Sequence, residues 1–189
     1  SEHLLADTRS IDVSGMRIDT DAILDRLIIE CGGSSTSASQ SGTLWAEGLQ
    51  VGGAFSLQAA KIDRDVRMAG GSFSGKVTIG SMVTDHSQDD SLVIRGSVLA
   101  SECQFNGGFY LSGGSIKGNL TLFGSIFDGI FFVRPKLVPT ADSKGWEQIE
   151  ATTIGGEVHL ASCKVAYIDW ESLVVKGELK LFAAQVGRL

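Results

Sequence analysis

Hydrophobic and polar positions along this 189-residue chain fall into a unit of eleven that recurs through most of its length. Aligned on Val51, Ile62, Phe73, Phe105, Ile116, Phe127, Ile154, Val165, Val175 and Val186, most copies carry a second apolar residue four positions on: Phe55, Val66, Val77, Phe109, Leu120, Phe131, Val158 and Leu179. A third follows two positions later: Leu57, Met68, Ile79, Leu111, Leu122, Val133, Leu160 and Leu181. The copy at Val165 is one residue short and supplies Ile168 and Trp170. Only 43% of the chain is apolar, yet all of these slots are. Self-similarity at a fixed period is the signature of a repeat architecture.

Two further columns hold the register. A small side chain lies two positions before the first slot in most copies (Ala60, Gly71, Cys103, Gly114, Ser125, Thr152, Cys163, Ala184), and glycine lies two positions after it (Gly53, Gly75, Gly107, Gly118, Gly129, Gly156, Gly177). The unit reads small-x-Ile-x-Gly-x-Leu-x-Leu-x-x. Its Leu-x-Leu pair has period two, which predicts a short strand with one buried face. The glycine after the lone Ile predicts a corner that admits positive φ. No stretch sustains a capped 3.6-residue period, so helices are not the basis of the fold. A strand this short is stable only when stacked on its own copy in the next turn, about 4.8 Å away. Inward residues fall alternately five and six apart, so four sides make a coil of about 22 residues, two units per turn. The predicted fold is all-β: a right-handed parallel β-solenoid (β-helix) with squarish coils and loop insertions.

The cadence of inward Leu or Phe, each preceded by a small residue two positions earlier, resembles that of the bacterial pentapeptide-repeat β-solenoids. The likeness covers residues 11–30 and 44–189 and departs from that class in having alternate sides six residues long. It implies right-handed square coils and a bacterial source, and it concerns an architecture more than one functional family. Residues 1–10 read as a lead-in, and 11–189 as a single solenoid domain with insertions at 31–43, 84–91 and 134–148. The copy that opens at Val186 breaks off inside the unit. That predicts either a larger parent chain or a coil end that docks on a partner.

Composition narrows the function classes. The chain has 24 glycines and two prolines, which fits corners with uninterrupted ladders. Net charge is −6 with both signs mixed along the chain, so no nucleic-acid partner is expected. No apolar run is long enough for a membrane span in this chain. The three cysteines lack metal or redox spacing. Cys103 and Cys163 occupy the small inward column and Cys31 follows an apolar run, so all three are expected in the core, which favours a cytoplasmic home.

Candidate chemistry is sparse. His86 lies in the polar run Asp85–Asp90, the composition of a solvated loop more than of a metal site. Gly70–Gly75 lacks the Lys-Ser/Thr and the strand–loop–helix context of a phosphate loop. No nucleophile is paired with a base by a local motif. The chain is therefore expected not to be an enzyme, with no catalytic, cofactor-binding or metal residues and no cofactor.

The outward residues between paired slots remain. If the insertions leave the count unchanged, one side stacks Trp45, Arg67, Asp89, Tyr110, Phe132, His159 and Lys180, and another Ser56, Thr78, Leu99, Thr121, Gln148 and Asp169. The first has the composition of an interface, which selects Trp45, Arg67, Tyr110, Phe132 and His159 as interaction residues. Phe123, Ile126, Ile130 and Phe132 add apolar surface that the 134–146 loop is expected to cover. The functional expectation is a non-catalytic scaffold that binds a protein, or a second copy, through its aromatic face or its coil ends. One alternative, implied by the resemblance, is an acidic inhibitor that competes with DNA for a DNA-binding enzyme. Another is a carbohydrate-binding or cleaving β-helix, for which Asp63, Asp65, Asp89 and Asp169 are too scattered to form a pair.

Overall fold

The computed structural model describes residues 10–30, 42–82, 90–139 and 146–187. Among them there are strands, most of two to four residues, and turns, and no α-helix. The strands stack in parallel into a β-solenoid with four sides. Side 1 is the seven-stranded sheet Ser10–Asp12, Thr43–Trp45, Val66–Arg67, Val98–Leu99, Leu120–Thr121, Val158–His159 and Leu179–Lys180. Sides 2 and 3 belong to one eleven-stranded sheet, because the long strands Ile126–Arg134 and Lys164–Trp170 run through the corner between them. The other strands of side 2 are Arg17–Ile18, Gln50–Val51, Ser72–Phe73, Gln104–Phe105 and Gln185–Val186, and those of side 3 are Ala22–Ile23, Phe55–Gln58, Val77–Gly80 and Phe109–Ser112. Side 4 is the six-stranded sheet Ile28–Ile29, Lys61–Ile62, Val93–Ile94, Ser115–Ile116, Thr152–Ile154 and Leu173–Val175.

Coil length follows from the register. Leu44 pairs with Val66 and Val98 with Leu120, 22 residues apart in each case. The step from Val66 to Val98 is 32 residues and that from Leu120 to Val158 is 38, because the chain leaves the third and fifth coils between sides 3 and 4. The sixth coil is one residue short. Phe127 and Ile130 pair with Val165 and Tyr167, a bulge that absorbs the missing corner residue. Ile168 and Trp170 still face inward there, Ile168 buried and Trp170 packed on the core.

Two inward columns are dominated by one kind of residue. Ile29, Ile62, Ile94, Ile116 and Ile154 line side 4, none more than 1% exposed. On side 2 the rings of Phe73, Phe105 and Phe127 stack at centroid distances of 5.5 and 4.9 Å. Phe109 and Phe131 of side 3 meet Phe105 and Phe127 respectively at 5.1 and 5.2 Å. This continuous aromatic column is the largest block of the core, and edge-on and offset contacts of this kind add to the burial of the rings themselves.

The corners correct one expectation. The glycines after the first slot do not adopt positive φ; their role is close approach. A Cβ on Gly75 would stand 2.5 Å from the carbonyl carbon of Gly53, and one on Gly107 2.5 Å from the carbonyl oxygen of Gly75. Successive coils therefore touch backbone to backbone at this corner. Positive φ recurs in every coil between sides 1 and 2, where Gly15, Gly48, Gly70 and Gly124 share a column with Glu102, Ser162 and Ala183, and again between sides 3 and 4 at Arg26, Ala59, Gly113 and Ser172. Side chains stitch the corner between sides 4 and 1. Asp65 accepts the amide of Ser97 at 2.8 Å, Ser97 Oγ that of Asn119 at 3.0 Å, and Asn119 Oδ1 that of Glu157 at 2.9 Å. Each supplies the acceptor that the bent backbone no longer offers.

The two glycine columns predict opposite outcomes. Gly75→Ala should lower stability in urea unfolding by about 3 kcal/mol, since the methyl has only backbone to displace. Glu102→Gly should be neutral or stabilising by up to about 1 kcal/mol, because it relieves a left-handed residue at φ 57°. Equal losses in both variants would show that the columns are not distinct.

Candidate interaction surfaces

The five interaction residues selected from the sequence lie on two sides. Trp45, Arg67 and His159 are on side 1, and Tyr110 and Phe132 are on side 3. The predicted single ridge is therefore split. Arg67 pairs with Leu99, so the outward column of side 1 runs Asp12, Trp45, Arg67, Leu99, Thr121, His159, Lys180. On side 3 the column runs Ile23, Ser56, Thr78, Tyr110, Phe132, Asp169. The physical reason is the chain between Gly80 and Val93. It adds ten residues to the third coil, nearly one whole unit, and so exchanges the sides that simple counting assigns. Asp89, His86 and Cys31 lie outside the described residues, as does the side chain of Gln148.

On side 1, the Arg67 guanidinium lies 4.6 Å from the centre of the Trp45 ring, with Glu47 3.9 Å from its Nε. Leu99 and Thr121 separate this pair from His159, whose ring is 5.7 Å from Phe123. Lys180 closes the column, held by Glu157 at 2.7 Å. That hydrogen bond raises the Lys180 pKa above its ordinary value.

Side 3 carries a denser array. The Tyr110 and Phe132 rings are 5.4 Å apart on successive coils. Lys76 Nζ lies 4.0 Å from the Tyr110 ring centre, and the Arg134 guanidinium 4.4 Å from that of Phe132. Arg134 also reaches Asp169 at 3.2 Å and Glu171 at 3.5 Å. Two rings on successive coils are thus each capped by a cation. Lys76 and Arg134 were missed by a reading confined to the residues between paired slots. Lys76 lies two residues before Thr78, on the coil below Tyr110, and Arg134 two residues after Phe132 on the same strand.

The described part of the 134–146 loop lies away from Phe123 and Ile126, which are 40% and 38% exposed. Its stem, the antiparallel hairpin Lys136–Pro139 with Trp146–Glu150, rises between sides 3 and 4, whereas Phe123 and Ile126 lie at the corner of sides 1 and 2. The last coils expose Leu179, Leu181 and Phe182, the last 84% exposed. Of the scattered carboxylates, Asp63 pairs with Arg95 at 2.7 Å and Asp169 with Arg134. Among the described residues no three His, Cys, Asp or Glu side chains gather as metal ligands, and no helix is long and apolar enough to cross a membrane.

The chain matches no protein-family model, no curated protein and no solved structure.

Cys103, Ser125 and Cys163 fill one inward column, and each donates to a main-chain carbonyl of the preceding coil: those of Met68 at 2.9 Å, Ala100 at 2.8 Å and Leu122 at 2.8 Å. Burial pushes the Cys103 thiol from its ordinary 9.0 up to about 12, and raises that of Cys163 as well. Reactivity requires the thiolate, which burial disfavours at both sulfurs. Iodoacetamide should leave both thiols unmodified in the native protein and label both in urea; rapid native labelling would contradict the assigned burial. The unfolded chain gives up the Cys103 proton near its ordinary 9.0 while the fold retains it to about 12. Stability should therefore fall as pH rises through that window.

Proposed function

We propose that this chain is a non-catalytic scaffold of the pentapeptide-repeat-like kind, which binds another protein chain through side 3. The array of Lys76, Tyr110, Phe132 and Arg134 carries the reading. Aromatic residues and Arg dominate the binding energy of protein interfaces. Here they are set on a rigid sheet with their neighbours already in place, which lowers the entropic cost of association. Kinship with the pentapeptide-repeat class is supported by the buried small column that includes Cys103, Ser125 and Cys163, and by the four-sided coil.

A second copy is the first partner to test. Light scattering over a concentration series should show mass rising above the 20.0 kDa monomer. The Tyr110→Ala/Phe132→Ala double variant should lose that rise while keeping the wild-type circular dichroism spectrum. The double substitution removes one outward ring pair, worth about 1 kcal/mol to the fold, so the solenoid should persist. A self-association that the double variant leaves untouched would overturn the assignment to side 3.

A further inference from the structure

Two insertions leave the solenoid by the same edge, between sides 3 and 4. One runs from Gly80 to Val93 in the third coil, the other from Arg134 to Thr152 in the fifth. The fourth coil crosses that edge as Gly113-Gly114, at φ 62° and 82°. This bare corner admits the stems of both insertions. A Cβ on Gly113 would stand 2.7 Å from Lys136 Cβ, and one on Gly114 2.7 Å from Leu92 Cβ. Lys136 and Leu92 fill the space from either direction, and both are buried.

A single carboxylate then bridges them. Glu150, the last residue of the hairpin, accepts hydrogen bonds at Oε2 from Ser81 Oγ at 2.7 Å and from Ser91 Oγ at 3.0 Å. Ser81 Oγ itself accepts the Leu92 amide at 3.1 Å, and the Met82 amide donates to the Asp90 carbonyl at 2.8 Å. Both stems of the first insertion are thereby gathered on one residue of the second. In the other direction, the buried Asp90 carboxylate takes Arg26 of the first coil at 2.9 Å. The polar strap runs from the first coil through the third to the fifth. The repeat does not require it, since Asp90, Ser91 and Glu150 belong to no column.

We propose that Glu150 is a latch that joins the stems of the two insertions into one mechanical unit, so that a change at either stem is transmitted to the other. Removing the carboxylate strands two hydroxyl donors and weakens the acceptor of the Leu92 amide, and losses of this kind at part-buried sites exceed the net worth of the bonds themselves. Such coupling is reciprocal by linkage. The latch stands whether or not side 3 is the binding surface.

Amide hydrogen exchange tests it. In Glu150→Ala, exchange at Met82 and Leu92 should quicken about tenfold or more, while the coil amides of Val98 and Leu120 stay protected. In Ser81→Ala/Ser91→Ala, the hairpin amides of Lys136 and Leu137 should quicken in turn. Changes confined to the insertion that carries the substitution, in both variants, would overturn the proposal. Should Glu150→Ala fail to fold, Ser91→Ala removes one donor from a part-exposed site; there, an unchanged hairpin would overturn the proposal and a faster one would support it.

Discussion

Everything in this molecule answers to the in-register stacking of one coil on the next. Parallel pairing fixes the spacing at about 4.8 Å and sets each residue on its own counterpart. A side chain is therefore judged chiefly against its column. Isoleucine over isoleucine on side 4 and phenylalanine over phenylalanine on side 2 are solutions to that constraint, as is glycine over glycine where backbones meet at Gly53, Gly75 and Gly107. The Asp65, Ser97 and Asn119 ladder is another, since each side chain serves the amide directly above it. A misfit in one coil is presented to two neighbours, which is why a single methyl at Gly75 matters more than its size suggests.

The same constraint separates structure from function. A residue that repeats is explained by stacking, and a residue that does not repeat needs another account. Cys103 and Cys163 share a column with Ser125. The feature common to all three is a donor to the carbonyl beneath, and sulfur is incidental. Tyr110 and Phe132 are the reverse case. Below them in the same outward column stand Ser56 and Thr78 and above them Asp169, so the stack itself has no need of rings there. Glu150 lies outside any column altogether.

The fold was legible because its rule is strict. Inward slots must be apolar in every coil, so even the short copy at Val165 with Ile168 and Trp170 could be placed. The outward faces obey no such rule, and the error in the ridge came from there. The ten extra residues before Val93 imitate a unit, and counting Asp89 as its outward residue moved Tyr110 and Phe132 onto the side of Trp45 and Arg67. The sequence did hold a signal. From Val51 to Val165 first-slot residues alternate between Val or Phe on side 2 and Ile on side 4, and placing Ile94 between Phe73 and Phe105 restores the alternation. The glycine corners were located correctly but for the wrong reason. Close approach of a neighbouring coil is a tertiary fact, and a lone glycine in a sequence does not distinguish it from positive φ.

A rigid stack limits where binding can be specified, and in this chain the possibilities converge. The aromatic array ends at Arg134, whose guanidinium covers Phe132. The carbonyl of the same residue accepts Thr152 Oγ1 at 2.8 Å and the Gly113 amide at 2.9 Å, at the root of the hairpin. One residue thus anchors both the layered rings of side 3 and the base of the insertion that Glu150 ties to its neighbour. Side 3 and the adjoining edge form one continuous surface. It is built almost entirely from what the repeat leaves free, on a frame whose columns hold each anchoring group in position.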